Sequence, residues 1–135
     1  MKVSDGFKVI LCDCPWRYDF SKTKTRKIEN QYATLPVDHL CGLDVRGLFA
    51  KDAVIYFWAT APKLPEAFQV LEAWGFRHRD SFVWDKGKMG MGFWFRSQHE
   101  LLLVGICGNV TPPPEEIQVA SIIRRRKSCA KEEAA

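Results

Sequence analysis

Apolar residues in this chain fall into short runs broken by polar or glycine-rich stretches, with one segment at helical spacing. Lys8-Val9-Ile10-Leu11-Cys12 is brief, apolar and β-branched, which predicts a buried strand ending at Asp13. Ala53-Val54-Ile55-Tyr56-Phe57-Trp58 predicts a second strand, entered by a turn at Asp52, and Phe76 to Trp84 a third. Leu101 to Ile106 predicts a fourth, reached from a segment that starts at Phe93-Trp94-Phe95 and runs to Glu100. Between the second and third runs, Leu64, Ala67, Phe68, Leu71 and Trp74 recur every three or four positions. That spacing predicts an amphipathic helix closed by Gly75. A shorter, glycine-interrupted helix is expected over Leu40, Leu43 and Leu48, with Thr34 or Leu35 as its cap and Pro36 in its first turn. Ser21 to Asn30 and Asp85 to Gly92 read as loops, and Thr111-Pro112-Pro113-Pro114 must be irregular. Alternating strands and helices make this an α/β chain. Trp58, Trp74 and Phe68 follow the strand and helix periods and are assigned to packing.

Composition narrows the picture. The 135 residues predict one domain, and 47% hydrophobic content suits a globular core. The apolar runs fall far short of a membrane span and Met1 to Phe7 is polar, so no membrane partner is expected and a cytoplasmic location is the default. The five cysteines are scattered, which favours reduced thiols. Net charge is only +4, but it is clustered: Lys22, Lys24, Arg26 and Lys27 form one run, and Arg124, Arg125, Arg126 and Lys127 another. Such runs are either solvated loops or phosphate contacts.

The chemistry concentrates after the first strand. Asp13 places a carboxylate at a strand's carboxyl end, where open α/β sheets bind ligands. Pro15 stiffens the backbone of Cys14, and Trp16 adds a large aromatic. Asp13-Cys14-Pro15-Trp16 resembles the Asp-Pro-Pro-Trp signature of the amino-methyltransferases that act on the exocyclic nitrogen of adenine. The branch is that of the messenger-RNA adenosine methyltransferase and its bacterial and phage relatives. Gln31-Tyr32-Ala33-Thr34-Leu35, Tyr56 to Thr60, Ala73 to Phe76, Phe82 to Lys86 and Trp94 to Gly105 extend the likeness in order and spacing, over roughly residues 8 to 123.

The resemblance implies a Rossmann-like fold, S-adenosylmethionine as cofactor, and adenine in DNA or RNA as substrate. It implies that Asp13 and the backbone carbonyl of Cys14 accept the amine's hydrogens, with Asp13 also bordering the cofactor. Trp16 would stack on the base. Tyr32, Trp84, Lys86 and Glu100 would border the substrate, and Lys22, Lys24, Arg26 and Lys27, adjoining that pocket, are expected to meet phosphates. Cys14 stands where the family has proline. Since the useful atom is a backbone carbonyl, weakened preorganisation is expected, and a catalytic thiol or a metal pair with Cys12 is the lesser alternative.

The likeness breaks near the end. Members continue through a His-Ser-x-Lys-Pro-like stretch to a Gly-Asn-Glu or Gly-Asn-Gln motif, whereas Val119 to Ile123 here leads into Arg124 and stops at Ala135. A partial methyltransferase domain over residues 1–123 with an incomplete sheet is therefore expected, followed by a disordered basic-then-acidic tail over 124–135. Three alternatives stay open: an adenine methyltransferase impaired by truncation, a non-catalytic nucleic-acid-binding relative, and a degenerate fragment. The first two could work with a second copy or a full-length methyltransferase partner.

Overall fold

The structure, a computed structural model, describes residues 5–17 and 34–125. Strands β1 (Phe7–Asp13), β2 (Phe49–Ala59), β3 (Arg77–Asp85), β4 (His99–Cys107) and β5 (Ile122–Arg124) form one sheet in the order β1-β2-β4-β3-β5. Helices α1 (Val37–Cys41) and α2 (Leu64–Ala73) complete it. β1 runs parallel to β2, β4 runs antiparallel to both its neighbours, and β5 runs parallel to β3. The carboxyl ends of β1, β2 and β3 therefore share one end of the sheet, which also receives the β3–β4 loop.

Period two sorts every strand between two unlike faces. Ile55 and Phe57 of β2, both 0% exposed, pair with Gly105 and Leu103 of β4 and pack under Leu71, Trp74 and Leu40 of the helices. Gly105 is required by close approach. A Cβ there would lie 2.9 Å from Ile55 Cγ2 and 3.2 Å from Phe76 Cβ. Trp74 Nε1 donates to the Leu40 carbonyl at 2.8 Å and ties α2 to α1. Gly75 ends α2 with φ at 90°, as the sequence predicted for a carboxyl cap.

The opposite face carries Val9, Leu11 and Asp13 of β1, Val54, Tyr56 and Trp58 of β2, Glu100, Leu102, Val104 and Ile106 of β4, and Phe82 and Trp84 of β3. No described helix covers it. Val9 remains 64% and Leu11 72% exposed, and the outer edge of β1 has no strand beside it among the described residues. The four expected strands and the longer helix are present, in a mixed sheet.

Four details differ from expectation. β2 begins at Phe49, opposite Phe7, so Asp52 lies inside the strand and its Oδ1 accepts from the Asn109 amide at 2.8 Å. Pro36, with no side-chain cap bond, takes the cap position of α1 instead of Thr34 or Leu35. α1 ends at Cys41 with Gly42 as its carboxyl cap, and Leu43 is left exposed. β5 continues the sheet past residue 123, since Arg124 belongs to it and the Arg125 amide donates to the Asp85 carbonyl at 3.0 Å. The remaining tail, residues 126–135, lies outside the described residues.

Candidate functional site

Four strands bring a small set of functional side chains to one corner of the open face. Register sets Asp13, Trp58, Leu102 and Phe82 in one row across the sheet, about 14 Å over three strand spacings. Trp84 and Glu100 are paired one step nearer the β3–β4 loop on the same face. The rings of Trp58 and Trp84 meet edge-on at 5.9 Å and 64°. Trp84 Nε1 donates to the Arg125 carbonyl at 2.9 Å, which fixes the indole in place. Lys86 Nζ pairs with Glu100 Oε1 at 3.1 Å, with both side chains about a third exposed. Asp13 closes the corner from β1. Crowding by its neighbours raises its carboxyl above the ordinary value, and the charge of Glu100 adds to the shift.

The signature itself divides between the two faces. Asp13 points to the open face, whereas Cys14 is buried on the helix side, its Sγ 3.6 Å from Cys12 Sγ. The hydrogen bond shared with Cys12, together with burial, drives the Cys14 thiol upward, so it is unsuited to act as a nucleophile. Its backbone carbonyl accepts the Trp16 amide at 2.9 Å, a tight i to i+2 turn that leaves one lone pair for a further donor.

Trp16 is the main correction to the sequence reading. It is only 4% exposed and packs edge-on to Phe57 at 5.8 Å and 73°, so its face is closed to a base in this conformation. The tight turn reverses the chain, the Leu35 amide donates to the Pro15 carbonyl at 2.9 Å, and Trp16 bridges to Leu35. These contacts carry the indole into the core beside Phe57. Its Nε1 has no acceptor among the described residues, a burial penalty of about 1–3 kcal/mol.

Trp58 takes its place as the aromatic near Asp13, a residue that strand period had assigned to packing. The signal available was its offset from Phe57: neighbours in a strand face opposite ways, so one of two adjacent aromatics had to leave the core. Tyr32, Lys22, Lys24, Arg26 and Lys27 lie outside the described residues. Arg124, from the second basic run, is engaged with Asp85 Oδ2 at 2.8 Å. Asp85 also accepts from Gln98 Nε2 and the Gly87 amide, and these bonds with Arg124 hold its carboxyl down at about 2.

A nucleotide-like cofactor in an open α/β sheet rests on a glycine-rich strand-to-helix turn, with an acid at a neighbouring strand end for the ribose hydroxyls. The described residues place Asp13 at such a strand end but contain no such turn. Their positive-φ glycines are Gly6, Gly75, Gly87 and Gly108, and none joins a parallel strand to a helix. No group of three or more metal-ligating side chains gathers among the described residues, and no described helix is long and apolar enough to cross a membrane. What the corner can do is grip a flat, amine-bearing group between a carboxylate and an aromatic wall.

Comparison with known proteins places the chain. The MT-A70 family model matches residues 7–131. The chain is 32% identical over 126 residues to the type II methyltransferase M.MunI of Mycoplasma sp, covering 79% of this chain and 54% of that protein. It is 27% identical over 117 residues to the N(6)-adenosine-methyltransferase MT-A70-like of Arabidopsis thaliana, covering 81% of this chain and 16% of that one. Against the N(6)-adenosine-methyltransferase MT-A70-like protein of Drosophila melanogaster it is 28% identical over 119 residues, covering 82% and 18%. The chain thus spans about half the length of the first relative and under a fifth of the other two. With its signature acid at the mouth of β1 and a family match across almost all its length, this chain belongs to the MT-A70 family, the N6-adenine methyltransferases.

Proposed function

We propose that this chain positions the exocyclic amine of adenine in DNA or RNA for N6 methylation. The observation that carries the reading is Asp13, on the open face at the end of β1 and next to Trp58, with Trp84 and the Lys86–Glu100 pair farther across the same face. Adenine's amine is a poor nucleophile because its lone pair is delocalised into the ring. An ionised Asp13 accepting one N–H, with the spare lone pair of the Cys14 carbonyl accepting the other, favours a tetrahedral nitrogen. The same acceptors stabilise the positive charge that builds there. The Trp58–Trp84 wall holds the base flat, a positioning contribution. In a duplex the base must first leave the stack.

When bound, S-adenosylmethionine would supply an electrophilic methyl group. A second reading takes account of the described residues, in which no positive-φ glycine joins a parallel strand to a helix. In that reading the chain is a nucleic-acid-binding relative that works with a second copy or a full-length methyltransferase. Labelled S-adenosylmethionine with adenine-containing DNA and RNA tests the proposal. Wild-type chain should transfer label, Asp13→Ala should lose at least about a hundredfold, the scale of a removed transition-state contact, and its melting temperature should barely move. Transfer should rise with pH through a value above the ordinary carboxylate pKa, since only ionised Asp13 accepts and its pKa is raised. Retained transfer in Asp13→Ala at equal melting temperature would contradict the assignment. No transfer and no calorimetric heat with S-adenosylmethionine would leave the second reading.

A further inference from the structure

The β3–β4 loop, residues 86–98, projects from the end of the sheet that bears Asp13, and only Lys86 has a part in the corner described above. It contains Lys86, Lys88 and Arg96, three glycines, and no acid. Its base is stapled by Asp85, which binds the Gly87 amide at 2.9 Å and Gln98 Nε2 at 2.8 Å, and by the Lys86 amide on the Gln98 carbonyl at 2.8 Å. Its tip is closed separately. The Ser97 amide donates to the Met91 carbonyl at 3.2 Å, the Gly90 amide donates to the Ser97 carbonyl at 2.6 Å, and Arg96 Nε donates to the Gly90 carbonyl at 3.1 Å. Gly92 leaves no room for a Cβ against the Phe95 carbonyl, so the turn after it is tight. That turn thrusts the tip outward, with Trp94 94% and Phe95 88% exposed.

Two large aromatics held in water on a stapled loop gain nothing from the fold. Beside them in the loop are Lys88 and Arg96, and the loop carries no acid of its own. Aromatic faces interleaved with Lys and Arg are the composition of a single-strand platform. The loop also leaves the sheet at the end that bears Asp13. Resting on the reading above, we propose that Trp94 and Phe95 stack bases flanking the target adenine on a single strand, with Lys88 and Arg96 neutralising its phosphates.

Fluorescence anisotropy with a labelled single-stranded oligonucleotide of about a dozen nucleotides, without S-adenosylmethionine, tests this. Trp94→Ala and Phe95→Ala should each weaken binding between about fivefold and about a hundredfold at unchanged salt dependence. Lys88→Ala and Arg96→Ala should each reduce the slope against log salt by roughly 0.7. Trp94→Phe should keep affinity and lose the share of the strand's tryptophan quenching that comes from Trp94. Trp94 and Phe95 are exposed, so these variants fold as the parent does. Absence of binding by the wild-type chain, or undiminished binding by the double alanine variant, would overturn the proposal. So would a double variant whose only loss is self-association in sedimentation, or adhesion to anionic phospholipid vesicles. Loop-dependent binding without methyl transfer keeps this inference and removes the methyl-transfer reading. Asp13-dependent transfer with unchanged binding by the double variant does the reverse.

Discussion

The two faces of the sheet are built from the same strands, yet only one is sealed. On the helix side Ile55 and Phe57 are wholly buried, and Leu103 is 1% exposed. One residue along, Trp58 and Tyr56 are half-buried, and Leu11 in the neighbouring strand is 72% exposed. Residue type does not separate the faces, because both are rich in aromatic and branched apolar side chains. What separates them is whether a helix lies overhead. The face that α1 and α2 cover contributes stability; the face left open contributes the acid, the ion pair and the indoles. A strand that reads as continuously apolar is suited to burial on both sides, and the exposed side here keeps that character while one corner carries Asp13, the Lys86–Glu100 pair and two indoles.

The largest effect expected from this contrast is on stability. Phe57→Ala should cost about 3–5 kcal/mol, because the ring is fully buried and its cavity cannot collapse against a packed sheet. Leu11→Ser should cost less than about 0.5 kcal/mol. Urea denaturation of the two variants measures the difference, and equal losses would break the comparison.

A smaller effect separates the two indoles of the covered side. Trp74→Phe removes the bond to the Leu40 carbonyl and should cost about 1 kcal/mol. Trp16→Phe keeps the ring contact with Phe57 and removes a buried N–H that has no acceptor among the described residues, so stability should hold or rise. Thermal melts of both variants decide the point.

The smallest effect concerns the staple at the loop. Asp85 has a folded pKa of about 2, below its ordinary value, so its bonds to Gln98, Gly87 and Arg124 stabilise the fold above that ordinary value. The contribution disappears as pH falls through the folded value. A gap in melting temperature between wild type and Asp85→Asn should be present above about pH 4 and close towards pH 2. A gap that persists unchanged into acid would remove the assignment.

Much of the fold was legible from period alone, since apolar runs and helical spacing report burial directly. The four long strands and α2 lie within a few residues of where these patterns place them. The covered face was not legible: Phe57 and Trp58 are equally apolar, and the choice between them depends on where α1 and α2 dock. β5 spans three residues and is held by pairing with β3, too short to leave a pattern. Asp13 was legible because an acid closing an apolar run has no packing reason to be there. Trp16 was not, because a non-local bridge to Leu35 draws it inward. The Asp85 staple had a faint local signal in Asp85-Lys86-Gly87, an acid that can bind the amide two residues on.

The central claim is that the open face at Asp13 receives the base. The chain has five tryptophans, and their indole N–H signals in a heteronuclear NMR spectrum report on both faces at once. Titration with a short adenine-containing single strand should shift Trp58 and Trp84 while Trp16 and Trp74 stay fixed. A shift in Trp16 with Trp58 and Trp84 silent would contradict the account.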